Sequence, residues 1–229
     1  MTFFKTLETD LETDIQKILN HPFLERIATA SLSLKQLQVF AEQYAIYCFH
    51  FPRFLAATAA NIPDDTARFP IIENLWEEHG EGNIKKSHRT LYQNFAKALE
   101  LNIGNLSTIK ALDSTKFCVE NLLKICQQTH FLESLGALGP GTEFFTSEEY
   151  QKIADGLLKY DFLNETNMLF WTVHISLDEN HYSDMMNVLI PYIENLENQR
   201  LITRGAKQAV ELELLFWNGL EENLNLTKK

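Results

Sequence analysis

Apolar residues recur at helical spacing along almost the whole of this chain, and this pattern limits the fold more than any other feature. Only 9 glycines and 6 prolines occur among 229 residues, and strand-like alternation is nearly absent. The segment SLSLKQLQVFAEQYAIYCFHF opens on a capping box, in which Ser33 precedes Gln36. No fixed-period repeat or low-complexity linker divides the sequence. It therefore predicts one all-α domain, residues 1–229, built as a bundle of seven to eight helices.

Several helix boundaries are also predicted. The segment ARFPIIENLWEEHGEG should end as a helix near Gly80 or Gly82, since glycine commonly terminates helices. Thr146 and Glu149 have the spacing of a second capping box. Pro191 should bend or interrupt the long helix that precedes it, because proline removes a backbone hydrogen bond.

Composition excludes some partners. The formal net charge of -11 argues against nucleic acid and anionic membranes. The N-terminus lacks the features of a signal peptide, and no run approaches the roughly 20 apolar residues of a membrane span. The odd number of cysteines, without a CxxC pair, predicts a protein of a reducing cytoplasm.

The stretch HISLDENH carries His174, Asp178 and His181 directly after the apolar run NMLFWTV. On a helix, position 178 lies about 40° from His174 and position 181 about 20° to the other side, so the three side chains share one stripe. Asp178 and His181 form the carboxylate-x-x-His element that helical bundles use for di-iron or di-manganese centres. The stripe is either a hydrogen-bonded cluster in the core or a metal site, since a buried carboxylate needs compensation.

Two other segments offer metal ligands. NLWEEHGEGNIKKSH holds acidic residues and histidines near a helix end, namely Glu77, Glu78, His79, Glu81 and His88. Helical geometry alone would also allow Glu81, seven residues before His88. Glu143 follows the Gly-rich break in GPGTEFF. Taken separately, these residues are better explained as solvated side chains near a helix end and as a first-turn glutamate favoured by the helix dipole.

Together the candidate ligands resemble a known signature. Glu78, His88, Glu143, His174, Asp178 and His181 match the ligand pattern of the haem-oxygenase-like di-iron oxidases and oxygenases, a superfamily that also holds the TenA thiaminases and PqqC-like proteins. The resemblance covers nearly the whole chain and is strongest to the group of the Chlamydia protein associating with death domains and its bacterial relatives. The choice of Glu78 over Glu77 or Glu81 rests on this match.

The resemblance implies a helical bundle, often dimeric, with metals between core helices and with O2 as oxidant. Three carboxylates and three imidazoles suit two iron ions, with manganese as the alternative. We therefore expect a homodimeric di-iron oxidase that uses O2 and an external reductant. Its small-molecule substrate would be an amine, an amino acid or a carboxylic acid.

The chain departs from the Chlamydia protein, which is thought to make p-aminobenzoate from one of its own tyrosines. The positions of two relevant tyrosines correspond here to Leu24 and Phe40, whereas Lys152 matches an implicated lysine. Self-modification is thus not expected, unless Tyr44 or Tyr47 substitutes. Since CFHFPR has no carboxylate where some N-oxygenating relatives carry a further ligand, six protein ligands are expected.

Aromatic residues are candidates for the wall of a substrate pocket, with plain core packing as the alternative; they are Tyr44, Tyr47, Phe51, Phe145 and Trp171. Two rival functions remain at this stage. One is a metal-free enzyme of the TenA or PqqC type, in which these residues bind an organic molecule. The other is a non-catalytic interaction protein.

Overall fold

The structure, a computed structural model, describes the backbone of residues 2–226 and the side chains of residues 2–175 and 180–224. Within these residues the chain is all-α, as predicted, and contains no strand. The helices are α1 (Thr2–Leu19), α2 (Pro22–Ala28), α3 (Leu34–Asn61), α4 (Asp65–Glu78), α5 (His88–Ala98), α6 (Asp113–Gln128), α7 (Phe131–Leu138), α8 (Phe144–Leu157), α9 (Leu169–Leu189) and α10 (Leu196–Leu226).

The described part of the chain has ten α-helices, more than the seven to eight expected, because α1 and α2 were not anticipated. Helix α1 buries Leu7, Leu11 and Ile15, which recur every four residues and so form one apolar stripe. Helix α2 is only 7 residues long and begins with Pro22. Proline is favoured at the first helical position, where its missing N–H would have no intrahelical partner.

Helices α8, α4 and α5 pack against α9, and α10 packs against α7, α6 and α1. The crossing of α7 and α10 is close, since a Cβ atom added to Gly136 would lie 2.2 Å from the carbonyl oxygen of Ile202. A π-helical turn, Gly139–Glu143, joins α7 directly to α8. This turn lies against α9 and α10 and so brings Glu143 into the interior.

Two of the predicted boundaries are confirmed. Ser33 and Gln36 form the capping box at the start of α3. Helix α9 ends at Leu189, and a 3-10 turn over Ile190–Tyr192 contains Pro191.

The second capping box is wrong. The chain is already helical before Thr146, whose hydroxyl donates to the carbonyl of Thr142 at 2.8 Å. Glu149 is consequently an interior residue of α8, and it is buried. The π-helical turn explains the error, because it continues the helical backbone through GPGTE instead of interrupting it.

The three cysteines, Cys48, Cys118 and Cys126, are buried and form no disulfide. Among the described residues, no helix has the length and apolar character needed to span a membrane.

Candidate metal centre

A tight turn brings Glu78 and His88 together. Helix α4 ends at Glu78, and the chain reverses through Gly80, Glu81 and Gly82, which all have positive φ angles, of 78°, 52° and 84°. Ser87 then caps α5, with its hydroxyl accepting from the N–H of Thr90 at 3.3 Å, and His88 is the first residue of the helix. Glu78 and His88 therefore do not share a helix. Glu81 is exposed on the turn. The helical spacing that would have allowed Glu81 as a ligand beside His88 therefore does not apply.

Three of the predicted ligands converge in the interior. Oε1 of Glu78 lies 2.9 Å from Nδ1 of His88 and 3.7 Å from Nε2 of His174, and all three residues are buried. Their donor atoms all lie within 4.8 Å of one another. Metal–nitrogen and metal–oxygen bonds are about 2.0–2.2 Å long, so ligands of one ion lie about 3 to 4 Å apart. The residues present therefore fit a metal ion.

The protonation of His174 supports the same conclusion. Its Nδ1 lies 2.6 Å from the carbonyl oxygen of Phe170, one turn earlier in α9. Because a carbonyl oxygen only accepts, Nδ1 must carry the proton, and Nε2 presents its lone pair towards Glu78. Metal-binding histidines are commonly oriented in this way by their other ring nitrogen.

Charge in this cluster suits a cation. Burial alone would raise the pKa of Glu78, but attraction to the neighbouring histidines, chiefly His88, outweighs burial and holds its pKa well below the usual value. Burial lowers the pKa of His174, which favours the neutral imidazole that metals bind. Nδ1 of His88 is buried and close to Glu78, yet the pair lacks the alignment of a hydrogen bond. Their separation of 2.9 Å is one that two ligands of a common ion can have.

Glu143 and His181 lie beside this group. Nδ1 of His181 is 4.0 Å from Oε1 of Glu143, while Nε2 of His181 is 2.7 Å from Oε2 of Glu77. Since a carboxylate accepts, Nε2 donates to Glu77, and Nδ1 is the nitrogen directed at Glu143. Burial raises the pKa of Glu143 to about 7. Attraction to His181 lowers this pKa, whereas repulsion from Glu78 raises it further.

Asp178 lies within α9, but its side chain is outside the described residues. Five of the six predicted ligands are thus described, and all five are buried; they are Glu78, His88, Glu143, His174 and His181. Glu77 contacts His181 from the outer side, with its side chain 33% exposed. It is therefore placed to orient a ligand.

A cavity of about 290 Å³ opens onto the cluster. Tyr44, Tyr47 and Phe51 line it, together with Glu78, His88, Glu143 and His174. Phe145 and Trp171, which were also pocket candidates, are buried in the hydrophobic core instead.

Lys152 lies on another face of α8. Its ammonium group donates to the carbonyl oxygen of Leu19 at 2.7 Å and pairs with Glu25. The cavity's lining residues do not include it. The structure therefore gives Lys152 a contact between α8 and the N-terminal helices rather than a position beside the candidate ligands.

Sequence reasoning missed several residues of the cavity wall, among them Glu149, Tyr150 and Glu213. A signal for Glu213 was present, since it lies on the buried stripe of α10 with Ala209, Phe216 and Leu220. A carboxylate on such a stripe has to be compensated. Glu149 was overlooked because the sequence predicted it as part of a capping box at a helix start, whereas it is a buried interior residue of α8.

Comparison with known proteins shows which family this chain matches. The model of a haem-oxygenase-related family, described as iron-containing redox enzyme, matches residues 38–214. A 4-aminobenzoate synthase of Chlamydia pneumoniae is 26% identical over 219 residues, covering 96% of this chain and 94% of the relative. A 4-chloro-allylglycine synthase of Streptantibioticus cattleyicolor is 25% identical over 212 residues, covering 92% and 80%.

Solved structures show the same fold. A CADD-like protein of unknown function from Nostoc punctiforme superposes with a TM-score of 0.81 at 16% identity, covering 100% of this chain and 96% of that one. A TenA homologue from Pseudomonas syringae has a TM-score of 0.81 at 15% identity, covering 95% and 92%. At these identities the likeness concerns the fold alone.

Proposed function

The chain belongs to the iron-containing redox enzymes of the haem-oxygenase-like fold, and we propose that it is a non-haem di-iron oxidase acting on a small organic molecule. The observation that carries this proposal is the convergence of Glu78, His88 and His174 on one point in the interior. Imidazole and carboxylate ligands suit Fe(II) or Mn(II), and no thiolate is among them.

We assign Glu78, His88 and His174 to one iron, and Glu143 and His181 to a second. Asp178, the sixth ligand that the resemblance implies, would complete the set. Bound iron would supply the activation of O2 with electrons from an external reductant. The chain's own residues fix the donor atoms beforehand. The Phe170 carbonyl holds the ring of His174, and Glu77 holds the ring of His181. Such preorganisation limits the reorganisation needed when metal and substrate bind.

The cavity is suited to a small substrate beside these ligands. Its walls include Tyr44, Tyr47, Tyr150 and Phe170. These rings exclude water from one side of the candidate centre and hold a substrate close to it. Holding reactants in a productive geometry accounts for a large part of catalysis in many enzymes.

The experiment that tests this function begins with anaerobic loading of the purified protein with Fe(II). O2 is then mixed in a stopped-flow spectrometer, with and without members of a panel of amines, amino acids and carboxylic acids. We expect O2 consumption that depends on iron and is accelerated by a subset of the panel. A His174→Ala variant, which lacks a candidate ligand, should show neither response. Iron-independent or absent O2 consumption in the wild type would contradict the proposal.

A second candidate function is synthesis of 4-aminobenzoate from a tyrosine of the chain itself. It is supported by the name of the Chlamydia relative and by three tyrosines that line the cavity. The ring of Tyr150 lies 5.1 Å from the ring of His174, and that of Tyr44 lies 6.1 Å from Tyr150. Leu24 and Phe40 argue against it, since both are fully buried and neither offers a phenol.

A further inference from the structure

Two carboxylates outside the candidate metal ligands face the same cavity. Glu149 lies on α8 and Glu213 on α10, and the two residues are 1% and 6% exposed. The indole N–H of Trp217 donates to Oε1 of Glu149 at 2.9 Å. Both acids line the cavity that also contains His174 and Glu78. The proposed metal chemistry uses neither of them.

The negative charge of Glu213 has no cationic side chain beside it among the described residues. Within the part of the chain whose side chains are described, no lysine, arginine or histidine forms an ion pair with Glu213. Two arginines, Arg53 and Arg89, line the cavity, but both are exposed. Burial raises the pKa of Glu213 to about 7, although hydrogen bonding to Glu149 and Trp217 partly offsets the effect. Burying a carboxylate without a cation costs free energy, so a cation entering the cavity would be bound favourably.

Aromatic rings surround the same part of the cavity. Tyr44 and Tyr47, on α3, have ring centroids 5.8 Å apart, and Tyr47 contacts Phe216 at 5.8 Å. Tyr150 adjoins Glu149 in sequence and lies between Tyr44 and His174. Tyrosine faces attract ammonium groups, and this attraction increases where water is excluded. A site that combines carboxylates with tyrosine rings is therefore suited to bind an ammonium group.

We infer that Glu149 and Glu213 bind the ammonium group of the substrate, which is therefore a primary amine or an amino acid. The inference rests on the proposed function only for the oxidation that follows, since ammonium binding itself needs no iron. It excludes simple fatty acids and neutral alcohols as preferred ligands, because they would bring no cation to the buried carboxylate of Glu213. The rest of such a substrate would extend along the cavity towards His174.

Calorimetric titration with three probes of equal length tests the inference: butylammonium chloride, 1-butanol and sodium butyrate. Each is titrated into metal-free and Mn(II)-loaded protein near neutral pH. We expect both forms to bind butylammonium at least about tenfold more tightly than the other two probes, as for other charge-assisted contacts. Glu213→Gln should abolish this preference, and Glu211→Gln should keep it. Glu211 lies on the same helix but is exposed, which makes it a matched control.

Circular dichroism of Glu213→Gln establishes that the variant is folded. The inference is overturned if the wild type binds no probe, if it does not prefer butylammonium, or if folded Glu213→Gln keeps the preference. Iron content, measured separately, reports on the proposed function. A protein that selects butylammonium but takes up no iron would refute the oxidase and leave the ammonium site standing. A protein that takes up iron but does not select butylammonium would refute the ammonium site and leave the oxidase standing.

Discussion

Oε1 of Glu78 lies 2.9 Å from Nδ1 of His88, although the two residues belong to different helices. The turn between them requires positive φ angles at Gly80 and Gly82. A Cβ atom on Gly80 would lie 2.4 Å from the carbonyl oxygen of Asn83, so only glycine fits there. The backbone is thus shaped to hold a carboxylate and an imidazole at the separation of two ligands of one metal.

Metal should stabilise the fold, because without it buried carboxylates and imidazoles face one another. A ligand that binds only the native state at 100 times its Kd adds about 2.7 kcal/mol, which raises the melting temperature by roughly 5–10 °C in a protein of this size. Differential scanning calorimetry with Fe(II) or Mn(II) against chelator measures the rise. His174→Ala should remove most of it. Identical curves for the wild type would identify the cluster as an ordinary hydrogen-bonded group.

Glu77 is predicted to be a positioning residue for His181. Glu77→Gln should weaken iron binding by about 10- to 100-fold, as is typical when the partner of a ligating histidine is altered. Competition with a chromogenic chelator measures the affinity. Glu73→Gln, an exposed change on the same helix, is the control and should have no effect. Equal affinities for Glu77→Gln and Glu73→Gln would show that the contact with Glu77 does not orient the ligand.

Glu213→Gln should stabilise the metal-free protein in a pH-dependent way. The pKa of Glu213 is raised from 4.5 to about 7 in the folded state, so the folded protein binds this proton more tightly than the unfolded chain does. The wild type therefore loses stability as pH rises from 4.5 through 7, by at most about 3 kcal/mol. The glutamine variant lacks this loss.

Urea unfolding at pH 5 and pH 8 tests the effect. The two proteins should have similar stabilities at pH 5, and the variant should be more stable at pH 8. Glu211→Gln should track the wild type at both values. A gain for Glu213→Gln that is the same at pH 5 and pH 8 would show that Glu213 does not titrate in this range.

Helical periodicity predicted the all-α class because the core is made from apolar stripes, which the sequence displays directly. The stripe of His174 and His181 on α9 was predictable for the same reason, and both side chains are buried as expected. Helical spacing could not select Glu78 over Glu81. That choice depends on where α4 ends and on the turn that follows, and it came from the resemblance to a known family.

The carboxylate pair of the cavity was not predicted. Glu149 and Glu213 come from α8 and α10, and they meet only through the packing of helices that are distant in sequence. Single-helix patterns contain no information on such a pairing. The resemblance implied a catalytic role for Lys152, which pairs with Glu25 in the structure. That role stays a prediction.

No tyrosine of the chain should be consumed during O2 exposure. Leu24 and Phe40 occupy the relevant core positions without a phenol. Intact-mass and peptide mass spectrometry after iron loading, reductant and O2, with no added substrate, should show an unmodified chain. Loss of a side chain at Tyr44, Tyr47 or Tyr150, with release of 4-aminobenzoate, would establish the second candidate function. Phenylalanine at the affected position should then stop the release, and Lys152→Ala would test the role of the lysine.

The most direct test of the central claim is the iron content of the protein after anaerobic loading with Fe(II) and removal of unbound metal. We predict close to two irons per chain by elemental analysis, and a clear loss in Glu78→Ala and His174→Ala. His130→Ala should retain the wild-type content, because His130 only caps α7, with its Nδ1 accepting from the N–H of Leu132 at 3.2 Å. A wild-type chain that holds one iron or none, with all its candidate ligands intact, would contradict the di-iron assignment.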